Sequence, residues 1–389
     1  MNVSAAAEAR KAGDRPRIGL LTARGSRLGG GVFEAVVAHA GLLREAGYEP
    51  VVFAAGDAFT RQDAGRFGDT PLVTRPPFGP AVFGWTPRLL GDILDRRIDL
   101  LHLHGIWQHA SVIGAQWAAK TGRPYVISPH GMLDPWIVSR GRFKKRVAEL
   151  AYERRSWAAT SVFHALNAAE QQSILRQTGR AGAIVIPNAV QPDVAVWPDP
   201  AAPYILFLGR IHAKKNVDGL LEGWRLARDE IVGRGWNLRI AGWGDKPDVH
   251  ALEEALRRQA DETVQYVGPV FGEAKRRLVA GASFFALPSF SEGLPVAVLE
   301  AWAAGVPTLM SRGCNLDEGF ARGAAINCGT EAGTIADALR RACTMDAATR
   351  SRMAAASRQI VEKGYSFDAV RCRWRRLYDE LLGIGDEPV

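Results

Sequence analysis

Two glutamates and a glycine lie close together in residues 284–310, which read FFALPSFSEGLPVAVLEAWAAGVPTLM. The four apolar residues 284–287 predict a buried strand, and the apolar spacing further on predicts a helix. Glu292 and Gly293 then lie in the loop at the mouth of that helix, and Glu300 lies within its first turns. Helix N-termini bind phosphate, and carboxylates accept hydrogen bonds from hydroxyl groups. The segment therefore predicts a site for a ligand that carries both phosphates and sugar hydroxyls.

The segment SEGLPVAVLEAWAAGVP resembles the Glu-x7-Glu motif of the retaining glycosyltransferases of family 4, which have the GT-B fold and use nucleotide-sugar donors. The resemblance implies that Glu292 approaches the donor sugar and that Glu300 binds the ribose. It also implies that the backbone N–H groups of Gly293 and Leu294 hold the diphosphate. The alternative is an ordinary loop between a strand and a helix, with two solvated glutamates.

Two cations follow another predicted strand, Tyr204–Leu208. Gly209 and Arg210 come directly after it, and Lys215 lies five residues beyond the arginine. The pair resembles the two cations with which the family grips the donor diphosphate. An Arg-x4-Lys pair alone is a weak signal, but its position at a strand end in the same domain as the two glutamates strengthens it.

Two further segments resemble parts of the family's donor site. Gly242 begins the sequence GWGD after a predicted strand, like the family's Gly-x-Gly loop near the nucleotide. Val267 begins VGPV, which is similar to the segment that contacts the base through backbone groups. Trp243 suits either stacking on a ligand or packing, and the sequence does not decide between them.

Glycines also follow the first predicted strand, Arg17–Thr22, and precede a predicted helix from Val32 to Glu45. Gly30 and Gly31 allow the backbone to pass close to a ligand, so both are candidate donor-binding residues. The spacing is not G-x-G-x-x-G, which makes a nicotinamide dinucleotide site a weak alternative.

The stretch LLHLHGIWQHAS places His102 and His104 on one face of a predicted strand. A metal pair is one interpretation, but histidines with hydrogen-bonded partners are the commoner case. We therefore predict no metal site. His104 and Trp107 are candidate acceptor-binding residues, because they lie where the chain turns after the strand.

His130 follows the predicted strand Tyr125–Ser128, in the sequence SPHGMLDPW. In the family that this chain resembles, a histidine after this strand lies beside the donor sugar, and the resemblance makes His130 a candidate catalytic residue. A purely structural role is the alternative. Asn167, which follows another predicted strand, is expected to cap the next helix.

Short apolar runs alternate with helical stretches along the whole chain, which predicts an α/β fold with doubly wound parallel sheets. The Pro-rich residues 192–203 are the expected domain link. We predict a first Rossmann-like domain over 1–195, which binds the acceptor, and a second over 200–365, which binds the nucleotide sugar. By resemblance to GT-B proteins, the two domains face a central cleft and a terminal helix at about 366–389 packs back on the first.

Length and composition agree with this organisation. A chain of 389 residues with 47% hydrophobic and 23% charged residues is typical of a two-domain globular protein. The net charge of +8 favours an anionic partner. No apolar run is long enough to cross a bilayer and no signal peptide precedes the first strand, so we expect a cytoplasmic protein. The four cysteines contain no C-x2-C pair, and reduced thiols are expected.

Residues 139–157, SRGRFKKRVAELAYERRSW, interleave seven basic residues with aromatic ones. As a helix this stretch is basic and amphipathic, which suits attachment to an acidic membrane surface near a lipid-linked acceptor. A solvated charged face is the alternative.

Together these patterns and the resemblance to family 4 imply a retaining hexosyltransferase that would move sugar from a UDP- or GDP-linked donor to a hydroxyl of a glycan or lipid-linked acceptor, in cell-surface polysaccharide assembly. The absence of Asp-x-Asp from the sequence agrees with metal-independent transfer without a cofactor. Retention is implied by the resemblance alone. A nucleotide-sugar epimerase of the same fold is the first alternative, and a basic nucleic-acid-binding protein is a weaker one, since we find no nucleic-acid motif and expect no such partner.

Overall fold

Thirteen strands in the described part of the chain form two parallel sheets. A computed structural model describes residues 15–79, 83–190 and 202–384. The chain folds into two compact units, residues 1–187 with 370–389 and residues 188–369. The predicted link 192–203 lies largely outside the described residues.

The first unit contains a seven-stranded sheet of order β3-β2-β1-β4-β5-β6-β7. Its strands are β1 Arg17–Thr22, β2 Glu49–Ala55, β3 Leu72–Arg75, β4 Leu100–His104, β5 Tyr125–Ser128, β6 Val162–Ala165 and β7 Ile184–Val185. Its helices are α1 Gly31–Glu45, α2 Thr60–Asp63, α3 Leu89–Asp95, α4 His109–Thr121, α5 Pro135–Ser139, α6 Arg142–Ala148, α7 Arg154–Ala159 and α8 Ala168–Thr178. Every residue of β4 and β5 is buried, as expected for central strands covered on both faces.

The second unit contains a six-stranded sheet of order β10-β9-β8-β11-β12-β13. Its strands are β8 Tyr204–Leu208, β9 Asn237–Ala241, β10 Val264–Gly268, β11 Phe284–Leu287, β12 Thr308–Met310 and β13 Ala325–Asn327. Its helices are α9 Val217–Val232, α10 Lys246–Gln259, α11 Gly272–Ala280, α12 Val296–Ala303, α13 Asp317–Ala321, α14 Ala332–Cys343 and α15 Ala347–Ile360. The chain reverses its winding between β8 and β11, and open α/β sheets bind ligands at the carboxyl ends of strands at such a point.

The last described helix, α16 Phe367–Leu382, belongs to the first unit from residue 370 onward. Its buried Trp374 and Tyr378 pack against histidines of that unit. Tyr48 donates a hydrogen bond to the carboxylate of Asp379 over 2.6 Å. The terminal segment therefore completes the core of the first unit.

The structure differs from the sequence-based prediction in three elements. Strand β3 was not predicted, because its four residues are partly exposed and give a short apolar signal. Strand β4 includes His104 as its last residue, whereas the prediction placed His104 where the chain turns after the strand. The basic stretch 139–157 is not one α-helix: α6 continues through a π-helical turn, Glu149–Glu153, into α7.

Candidate active site

The loops after β8 and β11 bring one predicted cation to one predicted glutamate. Lys215 ends a short 3-10 turn after β8, and Glu292 lies in the loop after β11. The ammonium group of Lys215 lies 2.6 Å from Oε1 of Glu292. The hydroxyl of Ser289 donates to the same oxygen over 2.6 Å. Since Glu292 is only 9% exposed, the ion pair holds its carboxylate in one place.

The backbone around Glu292 is held by the turn that follows β12. Its N–H donates to the carbonyl of Gly313 over 2.7 Å, and its own carbonyl accepts from the side-chain amide of Asn315 over 2.6 Å. A side chain at position 313 would lie 2.6 Å from the carbonyl oxygen of Phe290, so glycine is needed there. Two neighbouring strand ends thus fix the position of the glutamate.

Glu300 forms the second ion pair of the site. It lies on α12, and its Oε1 is 2.6 Å from the ammonium group of Lys275 on α11. Both side chains are about one third exposed. The carboxylate is therefore oriented and accessible at once, as a contact to a ribose hydroxyl requires.

Arg210 contacts neither predicted glutamate. Its guanidinium donates to Asp245 over 2.9 Å and lies 5.3 Å from the centre of the Trp243 ring. The structure thus joins Lys215 to Glu292 directly and joins Arg210 to the loop after β9. The contact with Arg210 also gives Trp243 a packing role in the loop GWGD.

The remaining donor-site candidates of the second unit lie on three loops and on strand β10. A side chain on Gly242 would collide with the carbonyl oxygen of Gly209, and Gly242 has φ +145. The two loops after β8 and β9 therefore pack backbone to backbone. Val267 is partly exposed on β10, and Leu294 is nearly buried. Gly293 precedes Leu294 and Pro295, and Pro295 caps α12 without a side-chain hydrogen bond.

Gly30 and Gly31 begin helix α1 in the first unit. Gly30 is the N-cap residue, with φ +57, and Gly31 is the first helical residue. A Cβ built on either glycine meets no atom within 4 Å, so open space adjoins both. Close approach of a ligand to this backbone stays a prediction.

His102 has hydrogen-bonded partners on both ring nitrogens, as the commoner interpretation requires. The carbonyl of Ile186 accepts from Nε2 of His164, whose Nδ1 accepts from Ser128; each of these bonds is 2.6 Å long. Burial lowers the pKa of His164 to about 4, so its ring is neutral and this direction is fixed. Ser128 then accepts from Nε2 of His102, and Tyr378 donates to Nδ1, again over 2.6 Å. The chain of bonds assigns the proton of each neutral ring.

His104 and His130 are in direct contact. Nδ1 of His104 lies 2.9 Å from Nε2 of His130. Packing around His130 lowers its pKa to about 3, and burial lowers the pKa of His104 well below the usual range. The structure thus joins a predicted acceptor residue to the predicted catalytic histidine. Nitrogens of His39, His102 and His104 lie within 4.8 Å of one another, a spacing that meets the first condition for a metal site.

The π-helical turn binds both the backbone N–H and the backbone carbonyl of Trp107. Its N–H donates to Oε1 of Glu153 over 2.5 Å, and its carbonyl accepts from the hydroxyl of Tyr152 over 2.9 Å. Ser111 donates to the same glutamate oxygen over 2.7 Å. Burial raises the pKa of Glu153 to about 7.

Asn167 caps α8 as predicted, because its side chain accepts from the N–H of Glu170 over 2.8 Å. Sequence reasoning missed Glu153, Glu170, Ser289 and Lys275. Each lies outside the recognisable motifs. The hydrogen-bond partner of Ser289 lies in the same loop, and the partners of the other three residues are distant in sequence. Glu153 follows no strand end, so the rule that found the other candidates does not reach it; Glu170 does follow β6, but it lies within α8.

Comparison with known proteins agrees with this architecture. Residues 29–194 match the family model for glycosyltransferase family 4, and residues 202–344 match that for glycosyl transferases group 1. O-antigen chain mannosyltransferase B of Escherichia coli is 32% identical over 115 residues, which are 30% of this chain and 30% of that protein. Glycogen synthase of Mycobacterium tuberculosis is 28% identical over 326 residues, which are 80% of this chain and 76% of that enzyme.

Among solved structures, HepE of Anabaena in complex with UDP-glucose superimposes with a TM-score of 0.76. The superposition covers 94% of this chain and 99% of HepE, at 18% identity. A likeness at this identity concerns the fold.

Proposed function

The chain belongs to glycosyltransferase family 4, and from this premise we propose that this GT-B hexosyltransferase moves its sugar, with retention, from a UDP- or GDP-linked donor to a hydroxyl of a glycan or lipid-linked acceptor. The observation that carries the proposal is the ion pair of Lys215 with Glu292, at the point where the sheet of the second unit reverses its winding. The relatives give a context, since one is named for O-antigen chain mannosyl transfer. We place the reaction in the assembly of a cell-surface polysaccharide.

The proposed reaction breaks the bond between the anomeric carbon and the diphosphate oxygen. The electron pair leaves with the diphosphate, and the acceptor oxygen forms the new bond on the same face of the sugar. The proton of the acceptor hydroxyl passes to the departing phosphate, so atoms and charge balance without an added base. The enzyme's main task is then to stabilise the negative charge that develops on the diphosphate.

Lys215 and Arg210 are the proposed sources of that stabilisation. The ammonium group of Lys215 already faces the donor-sugar residue Glu292, so it can contact a phosphate while the carboxylate contacts a sugar hydroxyl. Arg210 is 44% exposed and shares its charge with the more exposed Asp245, so a diphosphate competes with a weak surface partner. Fixed cations supply this chemistry without a metal, and we propose transfer that needs neither a metal nor a cofactor.

Two further sets of donor contacts are proposed, one to the ribose and one to the phosphates. Glu300, oriented by Lys275, binds the ribose hydroxyls. The N–H groups at Gly293 and Leu294 bind phosphate at the start of α12, where Pro295 provides no side-chain cap that would compete.

We also propose a membrane-docking surface in the first unit, formed by Phe143, Val147 and Leu150. These side chains are 82%, 51% and 57% exposed and recur at the spacing of one helix face. Exposed basic residues flank them at Arg142, Lys144 and Arg155. An apolar stripe flanked by cations suits the interface of a bilayer that contains acidic lipids. No helix in the described part of the chain is both long and apolar enough to span a bilayer.

A ligand panel tests the proposed function. The full chain is heated with UDP, GDP, ADP and their sugars, and one nucleotide series is expected to raise the unfolding midpoint. A ligand at about one hundred times its dissociation constant stabilises by about 2.7 kcal/mol. Incubation of the active donor with and without acceptor glycans then separates the alternatives. Transfer only with acceptor supports the proposal, whereas interconversion of the donor sugar alone indicates an epimerase. If none of the nucleotides stabilises the chain, both the transferase and the epimerase proposals are contradicted.

A further inference from the structure

The backbone at His130 has an unusual conformation. His130 has φ +54 and Gly131 has φ +76, so two consecutive residues lie in the left-handed region directly after the loop leaves β5. A side chain disfavours this region, and residues held in it cluster at functional sites. The turn persists only if neighbouring groups hold it.

Glu170 is the group that holds the backbone of this turn. Its Oε1 accepts from the N–H of Gly131 over 2.6 Å, and its Oε2 accepts from the N–H of Leu166 over 2.8 Å. The side chain is only 5% exposed, although carboxylates are rarely buried without a partner. Both oxygens are therefore used to join the loop after β5 to the loop after β6.

His104 is the group that contacts the His130 ring. It is 2% exposed, and its Nδ1 lies 2.9 Å from Nε2 of His130. Its own Nε2 is buried and has no hydrogen-bond partner in the described structure. Buried N–H groups are left unpartnered less often than buried acceptors, so the proton of His104 is assigned to Nδ1. His104 then donates to Nε2 of His130, and the proton of the neutral His130 ring lies on Nδ1.

We propose that His104 and Glu170 are positioning residues: together they hold the backbone of His130 in its left-handed turn and its ring in the tautomer with the proton on Nδ1. This inference rests on the proposed function, because His130 acts on a sugar only if the chain binds one. It adds two residues that do not touch substrate and that act through a third.

Nuclear magnetic resonance of the full chain with ¹⁵N-labelled histidine tests the assignment without any activity. We expect the neutral His130 ring to carry its proton on Nδ1. In His104→Phe, which keeps an aromatic ring and removes the donor, both tautomers of His130 are expected. His250→Gln, at an exposed histidine, serves as the control and leaves the His130 signals unchanged. A proton on Nε2 of His130 in the parent chain, or the same tautomer in His104→Phe, overturns the assignment.

Kinetics test whether positioning matters. His104→Phe and Glu170→Gln are each expected to lower kcat by about tenfold, with the KM for the donor changed less than about twofold. His104→Phe also removes a buried nitrogen without a partner, so its unfolding midpoint is not expected to fall, and lost activity then reports position rather than stability. In a His130→Ala background neither substitution is expected to lower kcat further.

Two results contradict the positioning role: a kcat within about twofold of the parent, or the same fractional loss in the presence and absence of His130. A wild-type chain that transfers no sugar contradicts the proposed function instead. In that case the resonance experiment still decides how His104 and His130 share their proton.

Discussion

The ammonium group of Lys215 lies 2.6 Å from the carboxylate of Glu292, although 77 residues separate them in sequence. Strands β8 and β11, which precede these residues, are neighbours in the sheet. The pair is therefore formed by topology and needs no ligand to assemble it. A site that is organised before the substrate arrives stabilises developing charge without reorganising at the moment of reaction.

The cations of the second unit give the first prediction. Lys215→Ala or Arg210→Ala is expected to lower turnover by about two to three powers of ten, the effect of losing one group that stabilises an oxyanion. Steady-state transfer of labelled sugar measures this effect. Arg225→Ala, which breaks an exposed pair with Glu222 in the same unit, is the control. Turnover within about threefold of the parent removes the substituted residue from the mechanism.

The pair of Glu300 with Lys275 gives a different kinetic expectation. Lys275→Ala leaves the carboxylate in place but no longer oriented, so the ribose is held less tightly. We expect the KM for the donor to rise about fivefold with kcat nearly unchanged, because the ribose does not change in the reaction. Isothermal titration with the nucleotide alone gives an independent measurement. A fall in kcat with unchanged nucleotide affinity disproves this role.

The buried histidines predict acid sensitivity of the first unit. Burial is the largest cause that lowers the pKa of His39, His102 and His104 well below 6.5. Below about pH 6.5 the unfolded chain takes up protons that the folded chain does not. The free energy of unfolding therefore decreases as the pH is lowered. Each such group contributes up to about 1.4 kcal/mol per pH unit well below its unfolded pKa and almost nothing well above it.

Other groups around the cluster also titrate. The pKa values of His130 and His164 are lowered, so they act in the same direction, whereas burial raises those of Glu153 and Glu170, which act in the opposite one. Comparison of His104→Phe with the parent isolates one histidine. Denaturant unfolding between pH 5 and pH 7 is expected to show a smaller loss of stability in the variant, by up to about 1.4 kcal/mol per pH unit at the acid end of the range. Equal slopes in the two proteins contradict the prediction.

The docking surface predicts binding to acidic vesicles. The triple replacement of Phe143, Val147 and Leu150 by serine is expected to abolish co-sedimentation of the chain with phosphatidylcholine vesicles that contain phosphatidylglycerol. Phe271→Ser, at another exposed aromatic residue, is the control and is expected to sediment as the parent does. Equal partitioning of the parent chain into vesicles with and without acidic lipid disproves the surface.

Gly242 predicts a loss of stability that depends on packing. Gly242→Ala brings a methyl group into the carbonyl oxygen of Gly209, in addition to the strain of a positive φ. We expect the free energy of unfolding to fall by at least about 2–3 kcal/mol. Gly268→Ala, with φ +80 and open space around it, has the strain without the collision and is expected to lose less. Equal losses would show that the collision is relieved by movement of the loop.

The sequence predicted the residues that follow strand ends, because apolar runs and the glycines after them mark those positions clearly. Lys215, Glu292 and His130 lie at such positions, and the resemblance to the family singled them out. Their partners were not found, because a hydrogen bond between two loops depends on strand order. The contact of His104 with His130 follows from β4 and β5 being neighbours, and the pairing of Arg210 with Asp245 follows from β8 lying beside β9. Strand order has no local signature in the sequence.

The hydroxyl of Tyr378, on α16, donates a hydrogen bond to His102, although Tyr378 lies 276 residues later in the chain. During synthesis on the ribosome, the seven strands of the first unit emerge long before that hydroxyl does. Until then the imidazole of His102 lacks its hydrogen-bond donor, and the core of the first unit lacks Trp374 and the rest of α16. We conclude that nascent or truncated chains that lack α16 expose this face of the first unit, so completion of its fold waits for the second unit to be translated.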